Sequence, residues 1–235
     1  KNYKIDISYL SHITETSQLY KADNSVSYAF NVCYLYDIKK FEDYAQYQET
    51  YSSGHKQNIR TSRNRMANDN LIYEEVSAPL EEKDLEKIID ISRSKLKDNK
   101  ICFYDDAAKY AMAMDLYRSF DAQLISIKLN GKMVAYRTNL LYHNEKFCLD
   151  ASFDRDYRRY SVGMLSVEFN LKESFKNGYH SHSEGWGKDE YKERFSTGYN
   201  TLYTKLIKGN TLLSSFWFKQ YQKSLAHANA QLKSN

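Results

Sequence analysis

Ile125, Ile127 and Leu129 alternate along the chain up to Asn130-Gly131, and this dipeptide fixes the direction of the next segment. A two-residue type I′ turn needs positive φ at both central positions, which asparagine and glycine supply most readily. The segment from Val134 to Tyr142 is therefore expected to return antiparallel. His143-Asn144 makes a second turn, and Lys146 to Ser152 a third strand. Ser161 to Lys176 then reads as a helix, with Ser161 as its cap and Gly178 just past its end.

The flanking text extends this pattern. Tyr3, Ile5 and Ile7 alternate, as do Tyr28, Phe30 and Val32, so the first 36 residues read as short strands. Phe41 to Met66 is helical, with Phe41, Tyr44, Ala45 and Gln48 on one face and an interruption at Ser52-Ser53-Gly54. Asn68-Asp69-Asn70 forms a turn, and Leu71 to Val76 a strand. Pro79 and then Glu81-Glu82 announce a helix whose apolar stripe is Leu85, Ile88, Ile89 and Leu96. Asp105-Asp106 open another. Beyond the long helix come a short strand (Tyr179 to Glu184), a break at Gly185-Trp186-Gly187, a short helix (Asp189 to Phe195) and a strand (Thr201 to Ile207). A final amphipathic helix carries Leu212, Leu213, Phe216, Trp217, Tyr221 and Leu225. This order predicts an α/β or α+β fold with a mixed sheet.

Composition excludes several classes. A length of 235 residues suits one large domain, or one and part of another. No run of eighteen apolar residues is present, so no spanning helix is expected. Cys33, Cys102 and Cys148 are odd in number and widely spaced, which argues against a disulfide framework or a zinc site and for a reducing, cytoplasmic compartment. The net charge of +4 is too small to indicate nucleic acid. The 22 tyrosines indicate a folded chain, and Lys1 in place of methionine suggests part of a longer protein.

Chemistry concentrates in three segments. Around Asp154 to Leu165 a strand hands over to a helix start, where unpaired N–H groups and a partial positive charge favour an anion. Gly163 admits close approach to the backbone, and Arg158 and Arg159 add charge, so Ser161, Val162, Gly163, Met164 and Leu165 form a candidate anion site. In the basic segment, Lys56, Arg60 and Arg63 share a helical face, either solvated or facing an anionic acceptor. His180 and His182 alternate and read as two partly exposed side chains. Cys148 reads as a small core residue, against covalent cysteine catalysis. The aromatic stripe of the last helix reads as a cover for the sheet, with a homodimer contact second.

Two motifs carry a resemblance. They are Phe153-Asp154-Arg155-Asp156-Tyr157-Arg158-Arg159-Tyr160-Ser161-Val162-Gly163-Met164-Leu165 and Gly185-Trp186-Gly187-Lys188-Asp189-Glu190-Tyr191-Lys192-Glu193-Arg194-Phe195. Together with Gln57-Asn58-Ile59-Arg60 and Arg63, they resemble the GNAT acyltransferases. The likeness is to the CelD-type acetyltransferase domains of polysaccharide biosynthesis, which are related to the Fem-type aminoacyltransferases. Val162 stands where that family usually has proline, and Ser183-Glu184 where an aspartate is common.

The resemblance covers about Tyr34 to Lys208 and implies a mixed, mostly antiparallel twisted sheet flanked by helices. Residues 1–33 are then expected as a remnant of a preceding GNAT-like half, 34–208 as the acyltransferase domain, and 209–235 as a C-terminal helix. The implied activity is transfer of an acyl group, acetyl in the first instance, from acyl-CoA. The acceptor is an amine or hydroxyl of a sugar, sugar nucleotide or amino-acid-like molecule, with no metal and no nucleic-acid partner. Glu184 and Asp154 are the candidate bases and Tyr191 the candidate acid. Arg60, Arg63, Trp186 and Lys192 are candidate acceptor contacts. The alternatives are a Fem-type transferase using aminoacyl-tRNA and a non-catalytic GNAT-fold interaction module.

Overall fold

A computed structural model of the chain describes residues 6–21, 25–95, 102–187 and 190–233. Lys1, Tyr3, Ile5, Leu96, Lys188 and Asp189 lie outside the described residues. In chain order the elements are β1 (Ile7–Ile13), β2 (Ser25–Asp37), α1 (Tyr44–Glu49), α2 (Ser53–Asn68), β3 (Tyr73–Pro79), α3 (Glu82–Lys95), α4 (Ala107–Ser119), β4 (Asp121–Leu129), β5 (Lys132–Tyr142), β6 (Glu145–Phe153), α5 (Val162–Lys176), β7 (Ser181–Trp186), α6 (Glu190–Phe195), β8 (Gly198–Lys208) and α7 (Ser214–Lys233). The chain divides into two compact units, one of Lys1–Tyr34, Trp186–Lys188 and Tyr199–Asn235, the other of Leu35–Gly185 and Asp189–Gly198.

In the first unit, β8 lies between β1 and β2. β1 and β8 are antiparallel, with Ile7 opposite Lys208 and Leu10 opposite Lys205. The register then shifts between Leu10 and Ile13, and His12 takes a left-handed φ of 60° at the irregularity. α7 packs on β1. β8 thus lies in the same unit as β1.

The second unit holds strands in the order β7-β6-β5-β4-β3. Neighbours are antiparallel except β6 and β7, which run parallel. The fold is thus α+β with a mixed, mostly antiparallel sheet, as expected. Both tight turns form as read: Asn130 and Gly131 have φ of 50° and 78°, and His143 and Asn144 47° and 62°. Pro79 ends β3 at the edge of this order, where a missing N–H removes no inner ladder bond.

The pleat sorts the core into two layers. Ile125, Ile127 and Leu129 pack with Tyr47 of α1, Ile59 and Met66 of α2, and Val162, Leu165, Val167, Phe169 and Leu171 of α5. Leu124, Met133 and Tyr136 turn to the other face, against Ile88 and Ile91 of α3 and Ala113 and Met114 of α4. Each fully buried aliphatic side chain contributes about 1.5–3 kcal/mol. α5 also buries Glu168, Asn170, Glu173 and Ser174, so this helix carries polar groups into the interior.

Candidate active site

The site begins where a strand pair parts. β6 and β7 are in register only from Glu145 opposite Ser181 to Phe147 opposite Ser183. Beyond that, β6 continues to Phe153 against β5, with Ala151 opposite Arg137 and Phe153 opposite Ala135. The Asp154 N–H donates to the Val134 carbonyl at 2.7 Å. Bonded and non-bonded pairs alternate along an antiparallel ladder. The N–H groups of Ala151 and Phe153 therefore turn away from β5, toward the side β7 has left. This segment walls a cavity of about 290 Å³, completed by Arg158, the first turn of α5 and Tyr191. Ser152 lies in the same wall, and its buried hydroxyl has no hydrogen-bond partner.

The approach to α5 is tighter than the sequence suggested. Asp154 caps a 3-10 turn over Arg155–Tyr160, accepting the Asp156 N–H at 3.1 Å. The turn ends at Ser161, whose φ of 53° and ψ of 34° are left-handed. Its hydroxyl makes no cap bond, contrary to expectation, because Ser161 must end one helix and begin the next. Its carbonyl instead accepts the N–H groups of Met164 at 2.9 Å and Leu165 at 3.1 Å. The anion-facing donors thus narrow to the N–H groups of Val162 and Gly163. The Val162 and Leu165 side chains are fully buried in the core and can offer only backbone.

Gly163 also has a different reason from the one expected. A Cβ there would lie 2.9 Å from Cδ1 of Phe153, so glycine is required by packing of α5 on β6. Gly163→Ala is expected to cost about 1–3 kcal/mol through overpacking. It should also push the Phe153 ring toward the cavity; a melting temperature equal to that of the parent would refute this.

The two arginines separate. Arg158 lines the cavity, whereas Arg159 reaches Asp69 at 2.8 Å and lies over the Tyr160 ring.

Behind the cavity sits a buried charge cluster. Arg137 and Glu184 form an ion pair with both side chains almost fully enclosed, and Arg137 Nε donates to Ser166 Oγ at 3.0 Å. His182 Nε2 lies 3.1 Å from Glu184 Oε1 and 3.0 Å from Asn170 Nδ2. One ring nitrogen serves only one of these at a time: protonated, it donates to the carboxylate; bare, it accepts from the amide. Burial lowers the His182 pKa, with Glu184 opposing, so the ring favours neutrality. Burial would raise the Glu184 carboxyl, but the Arg137 guanidinium and His182 outweigh it and hold it at about 2. Burial lowers Lys146 to about 7 and pushes the Cys148 thiol up to about 12, which removes the thiolate a covalent mechanism would need.

The candidate residues fall into separate places. Glu184 is an enclosed ion-pair partner, with too low a pKa to accept a proton readily. Asp154 is engaged by the turn it caps and by Lys132 at 2.9 Å, and it lines a different cavity. Tyr191 does wall the cavity beside β6. Lys192 is buried, and its charge acts on Glu184. Arg60 and Arg63 face a third, open cavity of about 660 Å³, where Arg63 is bound by Glu168 at 2.9 Å. Trp186 belongs to the first unit, with its ring 5.2 Å from that of His12. His182 corrects the reading of two partly exposed histidines, being fully buried. Sequence reasoning missed Arg137 and the Ser152 hydroxyl. The signal for Arg137 was a charge within the apolar run Val134 to Tyr142.

A parallel strand pair that parts beside a helix start, with a tyrosine at the gap, is the arrangement of an acyltransferase of the GNAT class. The sequence profile of the acetyltransferase (GNAT) domain matches residues 53–193, and the chain belongs to this family. No curated protein sequence matches it significantly. Among solved structures it is similar to the C-terminal domain of a putative lysylphosphatidylglycerol synthetase from Agrobacterium fabrum, with 16% identity, a TM-score of 0.58, and 95% of this chain and 71% of that one covered. It is also similar to L-PGS from Bacillus licheniformis, with 13% identity, a TM-score of 0.58, and 89% and 70% covered. A third similar structure is FemX, with 8% identity, a TM-score of 0.53, and 85% and 65% covered. At these identities the likeness is one of fold alone. Among the described residues no three His, Cys, Asp or Glu side chains are grouped to hold a metal ion. No described helix is long and apolar enough to cross a membrane.

Proposed function

We propose that this protein transfers an acyl group, acetyl in the first instance, from acyl-CoA to an amine or hydroxyl of a small polar acceptor. The acceptor class is a sugar, sugar nucleotide or amino-acid-like molecule. The observation that carries the reading is the set of donors in one wall: the N–H groups of Ala151 and Phe153, turned away from β5, beside the unpartnered Ser152 hydroxyl. A buried polar group left unpaired costs about 1–3 kcal/mol, so this wall suits a ligand that brings acceptors. Amide carbonyls of a pantetheine arm are such acceptors. The N–H groups of Val162 and Gly163, with Arg158 and Lys95 in the same lining, suit the phosphates.

Acyl-CoA bound there supplies the acyl thioester. The Ala151 and Phe153 N–H groups orient it and stabilise negative charge on its carbonyl oxygen. Tyr191 holds the proton destined for the leaving sulfur. Arg137 and Glu184 keep the floor of the cleft rigid.

Acetyl-CoA at a hundred times its dissociation constant is expected to raise the melting temperature by about 5–10 °C, by mass action on the folded state. Arg158→Ala should weaken that effect. No shift at millimolar acetyl-CoA would overturn the reading. Salt-sensitive transfer RNA binding in its place would establish the Fem-type alternative.

A further inference from the structure

Ser161, Met164 and Tyr191 wall two cavities at once. One is the cleft beside β6. The other, of about 350 Å³, is lined from α2 by His55 and Arg65 and from α6 by Arg194 and Phe195. His55 is only 3% exposed, and neither ring nitrogen has a hydrogen-bond partner. The ring is clamped edge-on, with centroids 4.8 Å from Tyr51 and 4.4 Å from Phe195. Packing therefore holds the ring in place while both its polar atoms stay unsatisfied, an arrangement that costs stability unless a ligand completes it.

The charges of this second cavity have one sign. Arg65 and Arg194 line it, and no acidic side chain does. Arg194 binds Glu190 at 2.8 Å and Arg65 donates to the Arg159 carbonyl at 3.2 Å, so both guanidinium groups are oriented. The charged and titratable groups that line the cavity with His55 are Arg65 from its own helix and Arg194 and Tyr191 from α6, and Tyr51, from the segment between α1 and α2, packs against its ring. Burial, and next Arg194, lower the His55 pKa, which keeps the imidazole neutral and able to take a proton.

We propose that this cavity binds the acceptor, that His55 receives the proton of the acceptor amine, and that Arg65 and Arg194 select an acceptor bearing a carboxylate or phosphate. The inference rests on acyl transfer at the neighbouring cleft and adds the acceptor class and the base. The balance closes with two protons. The acceptor ammonium gives one to a ring nitrogen of His55, leaving an amine. The amine nitrogen bonds to the thioester carbon, the carbon–sulfur bond breaks, and the sulfur takes a proton from the Tyr191 hydroxyl. The second proton of the nitrogen restores Tyr191, and His55 releases its proton to solvent. The sum is an ammonium and a thioester giving an amide, a thiol and one proton.

The test uses the whole chain with labelled histidine. Inorganic phosphate is expected to shift the His55 ring nitrogen resonances saturably, and Arg65→Gln with Arg194→Gln to abolish the shift. With acetyl-CoA as donor, O-phosphoethanolamine should react at least about tenfold faster than ethanolamine, a discrimination reachable with one charge-assisted contact. His55→Ala should lower kcat about 100-fold at neutral pH. The loss should shrink as rising pH frees the amine without a base, and added imidazole should restore part of the rate. A phosphate titration that leaves the His55 resonances unmoved overturns the proposal. So does an H55A protein with parental kcat that is still stabilised by acetyl-CoA. Loss of the acetyl-CoA stabilisation in the parent protein would instead overturn the cleft assignment beneath it.

Discussion

Arg137→Ala should lower the stability of the chain by about 3–5 kcal/mol, the cost of stranding a buried charge. Glu184 is enclosed, and its stabilising neighbours are Arg137, His182 and Lys192. Of these the guanidinium contributes most to holding the carboxyl at about 2. Urea denaturation of the parent and variant measures the difference; a loss below about 1 kcal/mol, the scale of an exposed pair, would contradict the burial argument. The depressed carboxyl also sets a pH dependence. Its contribution is fully present above the ordinary value of 4.5 and is lost as pH falls through about 2. Removing Arg137 reverses the sense, because burial then raises the carboxyl and the variant becomes relatively less unstable in acid. Replacing both partners, as Arg137→Met with Glu184→Leu, should recover most of the loss, since the two buried charges of the pair leave together.

Tyr191→Phe should lower kcat by about 10²–10⁴-fold, the usual contribution of a positioned proton donor. The substitution removes one oxygen and keeps the ring, so stabilisation by acetyl-CoA should be unchanged. Thiol release followed against time reads the first quantity, and a melting curve with acetyl-CoA the second. A kcat within a factor of two of the parent would end the role proposed for Tyr191. A lost melting shift would mean that the hydroxyl helps to hold the coenzyme.

The sheet was legible because its signals are local. Asn130-Gly131 and His143-Asn144 dictate their turns from within, and the alternation of Ile125, Ile127 and Leu129 names the buried face. The motifs likewise located the start of α5 and the break after β7. What could not be read was which partner each polar group would meet. Glu184 looks like a strand-end carboxylate until Arg137, 47 positions earlier, is seen beside it. Gly163 shows in the sequence no sign of the Phe153 ring that packs against it. His55 stands in the sequence merely next to the basic face of Lys56, Arg60 and Arg63, yet the fold buries it between Tyr51 and Phe195. Each of these depends on a contact across the tertiary structure, to which spacing along the chain is blind.

The parting of β6 from β7 has a consequence for how such a protein can change over time. Main-chain N–H groups at Ala151 and Phe153 do not depend on which side chains stand there, so selection on that wall acts on the path of the strand and hardly on its spelling. Residues around the wall can drift while the donors stay where they are. Similarity of fold at 8–16% identity over most of the chain is what such a division of labour permits.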